Sequence, residues 1–345
     1  MDDSENHAGT STKRFLSLKV LVLGASSFAA GYVIRQLLSS GYRVCCISRS
    51  EISELFSPFS ADELSSVVDF HKAHIVDDNE FVLAKLMNFR PNVIIDFAGQ
   101  GMVAPSWDHP WQWFETNLVA KSRIIRRLIN VDWLDKYIRV STPEVYGSRD
   151  APIKLGASHN PSTPYAVSHS AVDQFLMTCF KNYDFPAVLP RYANFYGEYQ
   201  KLYRVVPRAI WSAVTGESFV LDGGGLSERL FIHGQDVASS IEAIILRGNI
   251  GAEYHFSGDT VISIKDLVAL CFDLVGLHSF DDVVELGPDR IGKDKKYVLD
   301  DAATRSLLSW SPTVSLSSGI ARCCNWIVEN RLPLALINKD YEHAR

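Results

Sequence analysis

The stretch from Lys19 to Ile47 constrains the fold more than any other part of the chain. Lys19-Val-Leu-Val-Leu23 is a short apolar run that stops at Gly24, as a strand buried on both faces does. Val33, Ile34, Leu37 and Leu38 then recur on one helical face, and Gly41 ends that helix. Arg43 to Ile47 is a second strand. The alternation continues with a third strand near Val67–Phe70 and a helix over Phe81–Met87 that Asn79 can cap and Pro91 ends. The strand Val93-Ile-Ile-Asp-Phe97, a long helix around Trp113–Ile129 and a strand at Ile138–Ser141 follow. Strands alternating with helices of this size predict an α/β fold with a parallel, doubly wound sheet.

That alternation runs to about Leu189, and beyond it Gly, Pro and aromatic residues cluster between Asn194 and Gly225. The expected organisation is a disordered polar tail at 1–17 and a dinucleotide-binding domain at 18–193 with a return segment at about 229–258. Residues 194–228 and 259–345 then form a smaller substrate-binding region. With 345 residues, 47% of them hydrophobic, the chain can bury one large core or a large core with a satellite. A net charge of −6 argues against a nucleic-acid partner, which asks for a basic surface. No apolar run reaches the roughly 20 residues of a membrane span, and the first 17 residues lack a signal-peptide core. Cys45, Cys46, Cys179, Cys271, Cys323 and Cys324 match no zinc spacing and no disulfide framework. Reduced thiols, a cytoplasmic location and no metal site are expected.

Gly24-Ala-Ser-Ser-Phe-Ala-Ala-Gly31 lies between a strand and a helix, where a sheet offers a helix N-terminus to a pyrophosphate. Gly24, Ser26, Ser27, Phe28 and Ala29 are the candidate contacts. Ser27 and Ala30 are small enough for close approach but do not tolerate a positive φ as Gly does. The second strand ends in Ser48-Arg49-Ser50, and an Arg there can pair with the 2′-phosphate of NADP, so Arg49 leans towards NADP over NAD.

Two later segments carry the chemistry: Ser141-Thr-Pro-Glu-Val-Tyr-Gly147 and Asn160-Pro-Ser-Thr-Pro-Tyr-Ala-Val-Ser-His169. They resemble the Ser-Thr-Asp-Glu-Val-Tyr-Gly and Ser-Pro-Tyr-x-x-Ser-Lys motifs of nucleotide-sugar 4,6-dehydratases. These enzymes are extended short-chain dehydrogenase/reductases of the NAD-dependent epimerase/dehydratase type. Ala98–Ser106 with Glu115-Thr-Asn117, Arg191–Gln200 and Arg229–Asp236 extend the resemblance over roughly residues 18–260. It implies a Rossmann-like fold, a tightly held and recycled NAD or NADP, and a nucleotide-diphosphate sugar as substrate. Tyr165 would take the proton of the sugar's 4-hydroxyl, Thr142 would orient that hydroxyl, and Glu144 would take the carbon 5 proton. Asp77, Ala98, Gly99, Asn117, Tyr165 and His169 fall at cofactor contacts. Asn194, Arg204 and Arg229 fall on the substrate's side, the two arginines suited to its diphosphate. The resemblance also implies a homodimer built from the helices around Trp113–Ile129 and Pro164–Phe180, with Val167, Ala171, Phe175 and Leu176 as an apolar stripe.

Two positions depart from the family motif. Pro143 stands where an Asp often protonates the departing hydroxyl, and His169 stands where the family has Lys. An unperturbed His is mostly neutral at pH 7, so catalysis is expected to depend on the charge of His169, and a Lys in its place is expected to preserve or raise activity. Rival readings are a 4-epimerase or decarboxylase on the same scaffold, or a binding protein that has lost turnover. Glu144 favours dehydration, because simple 4-epimerisation needs no base at carbon 5.

Overall fold

The computed structural model describes residues 18–288 and 297–344, so the tail expected at 1–17 lies outside the described residues. Strand β1 (Lys19–Leu23) leads into helix α1 (Phe28–Ser39). Strands β2 (Arg43–Ser48), β3 (Asp69–Lys72), β4 (Val93–Asp96), β5 (Lys136–Arg139) and β6 (Ala187–Tyr192) follow. After them come β7 (Asn194–Tyr196), β8 (Phe219–Asp222), β9 (Glu228–His233), β10 (Glu253–Phe256), β11 (Val261–Ser263) and β12 (Val284–Gly287). The large sheet has the order β10-β6-β5-β4-β1-β2-β3, and every neighbouring pair in it is parallel. This is the doubly wound α/β sheet that the alternating pattern predicts.

The unbroken apolar run of β1 has a direct cause. Val20 and Val22 pack into one core with α1, whereas Leu21 and Leu23 pack into a second core on the opposite face. The second core is built with α2 (Asn79–Phe89), α3 (Ala120–Leu128) and α4 (Pro164–Tyr183). With both faces covered, no position on the strand is left for a polar residue. Each such side chain contributes about 1.5–3 kcal/mol by leaving water. Strand order reverses between β1 and β4, and the crevice at the C-terminal ends of those two strands is where this architecture binds ligands.

Three boundaries differ from the sequence reading. Val67 is exposed and follows the capped helical turn Ala61–Ser66, so β3 starts two residues later than expected. Asn79 does not cap α2; its buried amide donates to the carbonyls of Ile75 and Ala120, at 2.8 and 3.3 Å, and so ties α2 to α3. The helix around Trp113–Ile129 is broken by a π turn at Glu115–Val119, which carries the buried Asn117. Such turns often mark functional positions.

A separate core forms around α5 (Val205–Thr215), α7 (Ile264–Val275) and α8 (Leu316–Glu329), with Trp211, Leu267, Phe272 and Ile327 at its centre. β9 lies in a small sheet between β7 and β11, and β8 pairs with β12. The segment at 229–258 therefore begins in the small sheet. It rejoins the large layer through α6 (Gly234–Arg247), which packs against α1, and through β10. No helix among the described residues is long and apolar enough to cross a membrane. All six cysteines are free and buried.

Candidate active site

The turn after β1 is built on Gly24, whose φ is +76° and on which a Cβ would lie 2.6 Å from the Ala98 backbone nitrogen. A side chain cannot fit there, because the turns after β1 and β4 touch. Ser27, by contrast, has φ −73° and ψ 151°, and Ala30 lies inside α1. Neither needs a left-handed backbone. The weakness expected of a loop with Ser and Ala in place of Gly is thereby corrected: only the first position is conformationally restricted to Gly. The Ser27 hydroxyl is buried without a hydrogen-bond partner, and α1 has no side-chain cap. A helix start with uncommitted donors and an orphan hydroxyl, closed in by Gly24, fits a pyrophosphate. Ser26 Oγ lies 2.7 Å from Ser48 Oγ and joins the ends of β1 and β2. Phe28 packs edge-on against Tyr32, and Ala29 is buried in the core.

The turn after β4 is held by buried charge. Asp96 accepts from Lys121 Nζ at 2.7 Å, from the Tyr137 hydroxyl at 2.8 Å and from the Ala98 nitrogen at 3.0 Å. Lys121 also donates to the Ala98 carbonyl. Asn117 is wholly buried; it accepts from the Gln100 nitrogen and donates to the Gln100 carbonyl and to Ser168 Oγ. It therefore fixes the Ala98–Gly99–Gln100 loop against α4. Gly99 is needed for the same contact, since a Cβ on it would meet Asn117 Oδ1 at 2.9 Å.

Two further expected cofactor contacts have protein neighbours. Asp77 is largely exposed and its carboxylate lies 3.1 Å from His74 Nδ1. Arg49 donates to the Ala344 carbonyl at 2.9 Å, and Gln100 Nε2 donates to the same oxygen at 2.9 Å. His343 stacks on Trp113 and His109, and Tyr341 packs edge-on against Tyr203. Residues 341–344 thus run from Tyr203 to Arg49 and Gln100. No periodicity or motif in that segment announces the contact.

On the catalytic side, buried Arg191 pairs with Asp173 at 3.0 Å and with Glu253 at 3.1 Å, and Asp173 accepts from the Ser141 hydroxyl. This anchors the segment after β5 to α4. Thr142 ends the extended segment, and its hydroxyl accepts from the Glu144 nitrogen at 3.3 Å. A short 3₁₀ turn, Pro143–Tyr146, follows. Pro143 takes the first position of that turn, where its missing N–H and fixed φ cost nothing. Tyr165 is buried on the first turn of α4, whose cap is Thr163. Burial raises the Tyr165 phenol above its ordinary value and the Glu144 carboxylate raises it further, while Thr142, Arg139 and Arg204 oppose both. Thr142, Glu144 and Tyr165 are therefore brought together.

His169 packs at a tilt against Tyr165 with ring centroids 4.5 Å apart, and its Nδ1 lies 2.9 Å from Arg139 Nη2. Arg139 can only donate, so Nδ1 accepts and the ring is neutral. Burial, then Arg139 and Lys121, hold the ring well below its ordinary value. The expectation that His169 works through a titrating charge is overturned by these neighbours. Arg139 and Lys121 carried no signal in the sequence reading.

On the substrate side, Asn194 accepts from the Tyr297 hydroxyl at 3.1 Å, and the buried Arg229 guanidinium lies 4.2 Å from the Tyr297 ring centre. Arg204 is exposed over Tyr203. Among the described residues, one group has metal-ligand spacing: Cys45, Asp69 and His71. The Cys45 thiol is pushed up to about 12 by burial and by Asp69, which disfavours the thiolate that a metal needs.

The family model described as NAD dependent epimerase/dehydratase matches residues 20–256. The dTDP-glucose 4,6-dehydratase of Xanthomonas campestris pv. campestris is 23% identical, the match covering 90% of this chain and 93% of the relative. The human dTDP-D-glucose 4,6-dehydratase is 24% identical, with 90% of each chain covered. Among solved structures, the dTDP-glucose 4,6-dehydratase DesIV of Streptomyces venezuelae, determined with NAD bound, has a TM-score of 0.82 and 25% identity over 92% of this chain and all of its own. The UDP-glucose 4-epimerase of Thermotoga maritima also reaches 0.82, at 22% identity over 91% of this chain and all of its own. Dehydratase and epimerase thus superpose equally well, and the fold alone does not separate them. With the cradle at Gly24, the Tyr165 site and the matched span in agreement, the chain belongs to the NAD dependent epimerase/dehydratase family.

Proposed function

We propose that this protein is a nucleotide-sugar 4,6-dehydratase that uses bound NAD. The observation that supports the reading is that the Tyr165 phenol lies within reach of Thr142 and of the Glu144 carboxylate, just after β5. A 4-epimerase on the same scaffold has no use for a carboxylate at carbon 5. The relatives named dTDP-glucose 4,6-dehydratase support the same choice.

Gly24, Ser27 and the start of α1 hold the pyrophosphate, and Ala98, Gly99 and His169 face the nicotinamide half. NAD bound there would take the hydride from the sugar's carbon 4 and return it to carbon 6 after water has left. Tyr165 takes the 4-hydroxyl proton while Thr142 orients that hydroxyl. Glu144 then takes the carbon 5 proton, which the carbon 4 ketone has acidified. Pro143 has no proton to give, so Glu144, now protonated, donates to the departing carbon 6 hydroxyl, water leaves, and carbon 5 takes a new proton from solvent as carbon 6 is reduced. Arg229 and Asn194 sit on the diphosphate side, with Arg204 nearer Tyr165, and residues 194–228 and 259–345 cover the substrate. The lean towards NADP rested on Arg49 alone. That guanidinium is engaged by Ala344, and the family is NAD dependent by description.

A homodimer and a cytoplasmic location belong to the same reading. On α4, Val167 is exposed and Ala171 half-buried, and these two face outward, while Leu176 packs into the sheet core and the half-buried Phe175 packs against that core. The test is mass spectrometry of a panel of nucleotide sugars incubated with the protein and NAD. Loss of one water from one member supports the proposal. An unchanged mass with altered retention marks an epimerase, and no change across the panel marks a binding protein.

A further inference from the structure

The family motif places its fixed cation at position 169, and here that position is neutral. The charge has not disappeared. Lys121 and Arg139 are 0% and 1% exposed. Lys121 is balanced by Asp96 at 2.7 Å. Among the described residues no carboxylate forms an ion pair with Arg139. Its Nη1 donates to the Val140 carbonyl, its Nη2 donates to His169 Nδ1, and its Nε has no partner. A buried guanidinium without a counter-charge is costly. A group able to become an anion against it is the Tyr165 phenol, whose ring packs at a tilt on the same imidazole and which feels the Arg139 charge.

The donor bond from Arg139 also settles the tautomer. With Nδ1 accepting, the His169 proton sits on Nε2, and that nitrogen is buried without a hydrogen-bond partner. Such an orphan donor, beside the Gln100 loop and Tyr165, is what a ribose hydroxyl needs from a neutral residue.

We propose that Arg139 is a positioning residue that supplies the fixed positive charge for the Tyr165 phenolate and locks His169 as a neutral Nε2–H donor towards the cofactor's ribose. The inference rests on the reading of Tyr165 as the base. The groups facing Tyr165 are Glu144, Thr142, Arg139 and Arg204. Those facing His169 are Arg139, Lys121 and the Gln100 backbone. Asp96 and Asp173 face Lys121. Glu144 opposes the phenolate. Of the two cations that favour it, Arg204 is exposed and screened by solvent, so the buried Arg139 acts more strongly.

The test uses the protein without substrate, so its failure is distinct from failure of the dehydratase reading. Tyr165 ionisation is followed by ultraviolet difference against a Y165F control, and the His169 ring by ¹⁵N NMR assigned with H169N. The wild type should show a neutral Nε2–H ring across neutral pH. In R139Q the phenolate fraction at a given alkaline pH should fall about tenfold or more, a shift of at least one pKa unit, and His169 should titrate at a higher pH than in the wild type, though burial and Lys121 still hold it down. R139K, which keeps the charge, should recover most of the phenolate. A wild-type His169 that is protonated at neutral pH, or an R139Q protein with both titrations unchanged, overturns the proposal. Should R139Q not fold, H169K and the exchange variant R139H/H169K decide. H169K alone crowds a third cation against Arg139 and Lys121 and should melt below the wild type, and the exchange should restore melting. An H169K protein as stable as the wild type overturns the proposal.

Discussion

The dinucleotide cradle and the wall behind Tyr165 face each other across the same crevice, yet they bear sequence change differently. The cradle is made largely of backbone. Ser27 and Ala30 replace Gly at no conformational cost, because extended and helical backbones are open to any residue. Only Gly24, with positive φ and the Ala98 backbone against it, is fixed. The wall is made of side chains. Losing the cation at position 169 there is accompanied by a buried Arg139 and a buried Lys121–Asp96 pair. Where backbone carries the function, substitution is absorbed locally; where a charge carries it, the outcome depends on the other charges buried beside it.

The largest expected effect is in the wall. Y165F should lower turnover by about 10²–10⁴-fold, the usual share of a general base, with NAD affinity kept within a few-fold; kcat and calorimetric Kd check both. A Y165F protein that still turns over places the base elsewhere and dissolves the contrast.

In the cradle, G24A should cost about 1–3 kcal/mol of stability through backbone strain alone, read from chemical denaturation. S27A should leave stability unchanged or slightly higher, since its buried hydroxyl has no partner to lose. It should weaken NAD binding a few-fold. Equal losses of stability in the two variants would show that the cradle depends on side chains after all.

Acid sensitivity sharpens the wall. His169, held below its ordinary value by burial, Arg139 and Lys121, binds a proton in the unfolded chain before it does in the folded one. Its contribution is therefore fully present above about pH 6.5 and is lost as pH falls below that, by up to about 1.4 kcal/mol per pH unit. His255, lowered to about 4 chiefly by burial, acts with the same sign. H169Q should flatten part of the slope of stability between pH 6.5 and 5; an unchanged slope would show that His169 is not held neutral.

The smallest effect concerns residues 341–344. Removing them frees Arg49 and Gln100 from the Ala344 carbonyl, and NAD affinity should rise a few-fold by calorimetry. Weaker binding after their removal would make the segment part of the cradle.

The same division explains what could be read in the sequence. β1 and the helix after it were legible because both faces of the strand are buried, which leaves an unbroken apolar run. Tyr165, Thr142 and Glu144 were legible because they lie in two short contiguous motifs. Arg139 and Lys121 were not, because they sit at positions whose neighbours read as ordinary strand and helix. Their meaning depends on β5, α3 and α4 being adjacent in space. The same holds for Ala344, which meets Arg49 from 295 residues away. Taken alone, a His at position 169 points to a titrating charge; the guanidinium 2.9 Å from it reverses that.

The most direct test of the account is the reaction in heavy water, run with the wild type and with E144Q on the nucleotide sugars of the panel. If Glu144 takes the carbon 5 proton, the wild-type product has lost one water and carries solvent deuterium at carbon 5, and E144Q yields neither change. A product of unchanged mass without carbon 5 deuterium, or an E144Q protein that dehydrates like its parent, contradicts the account.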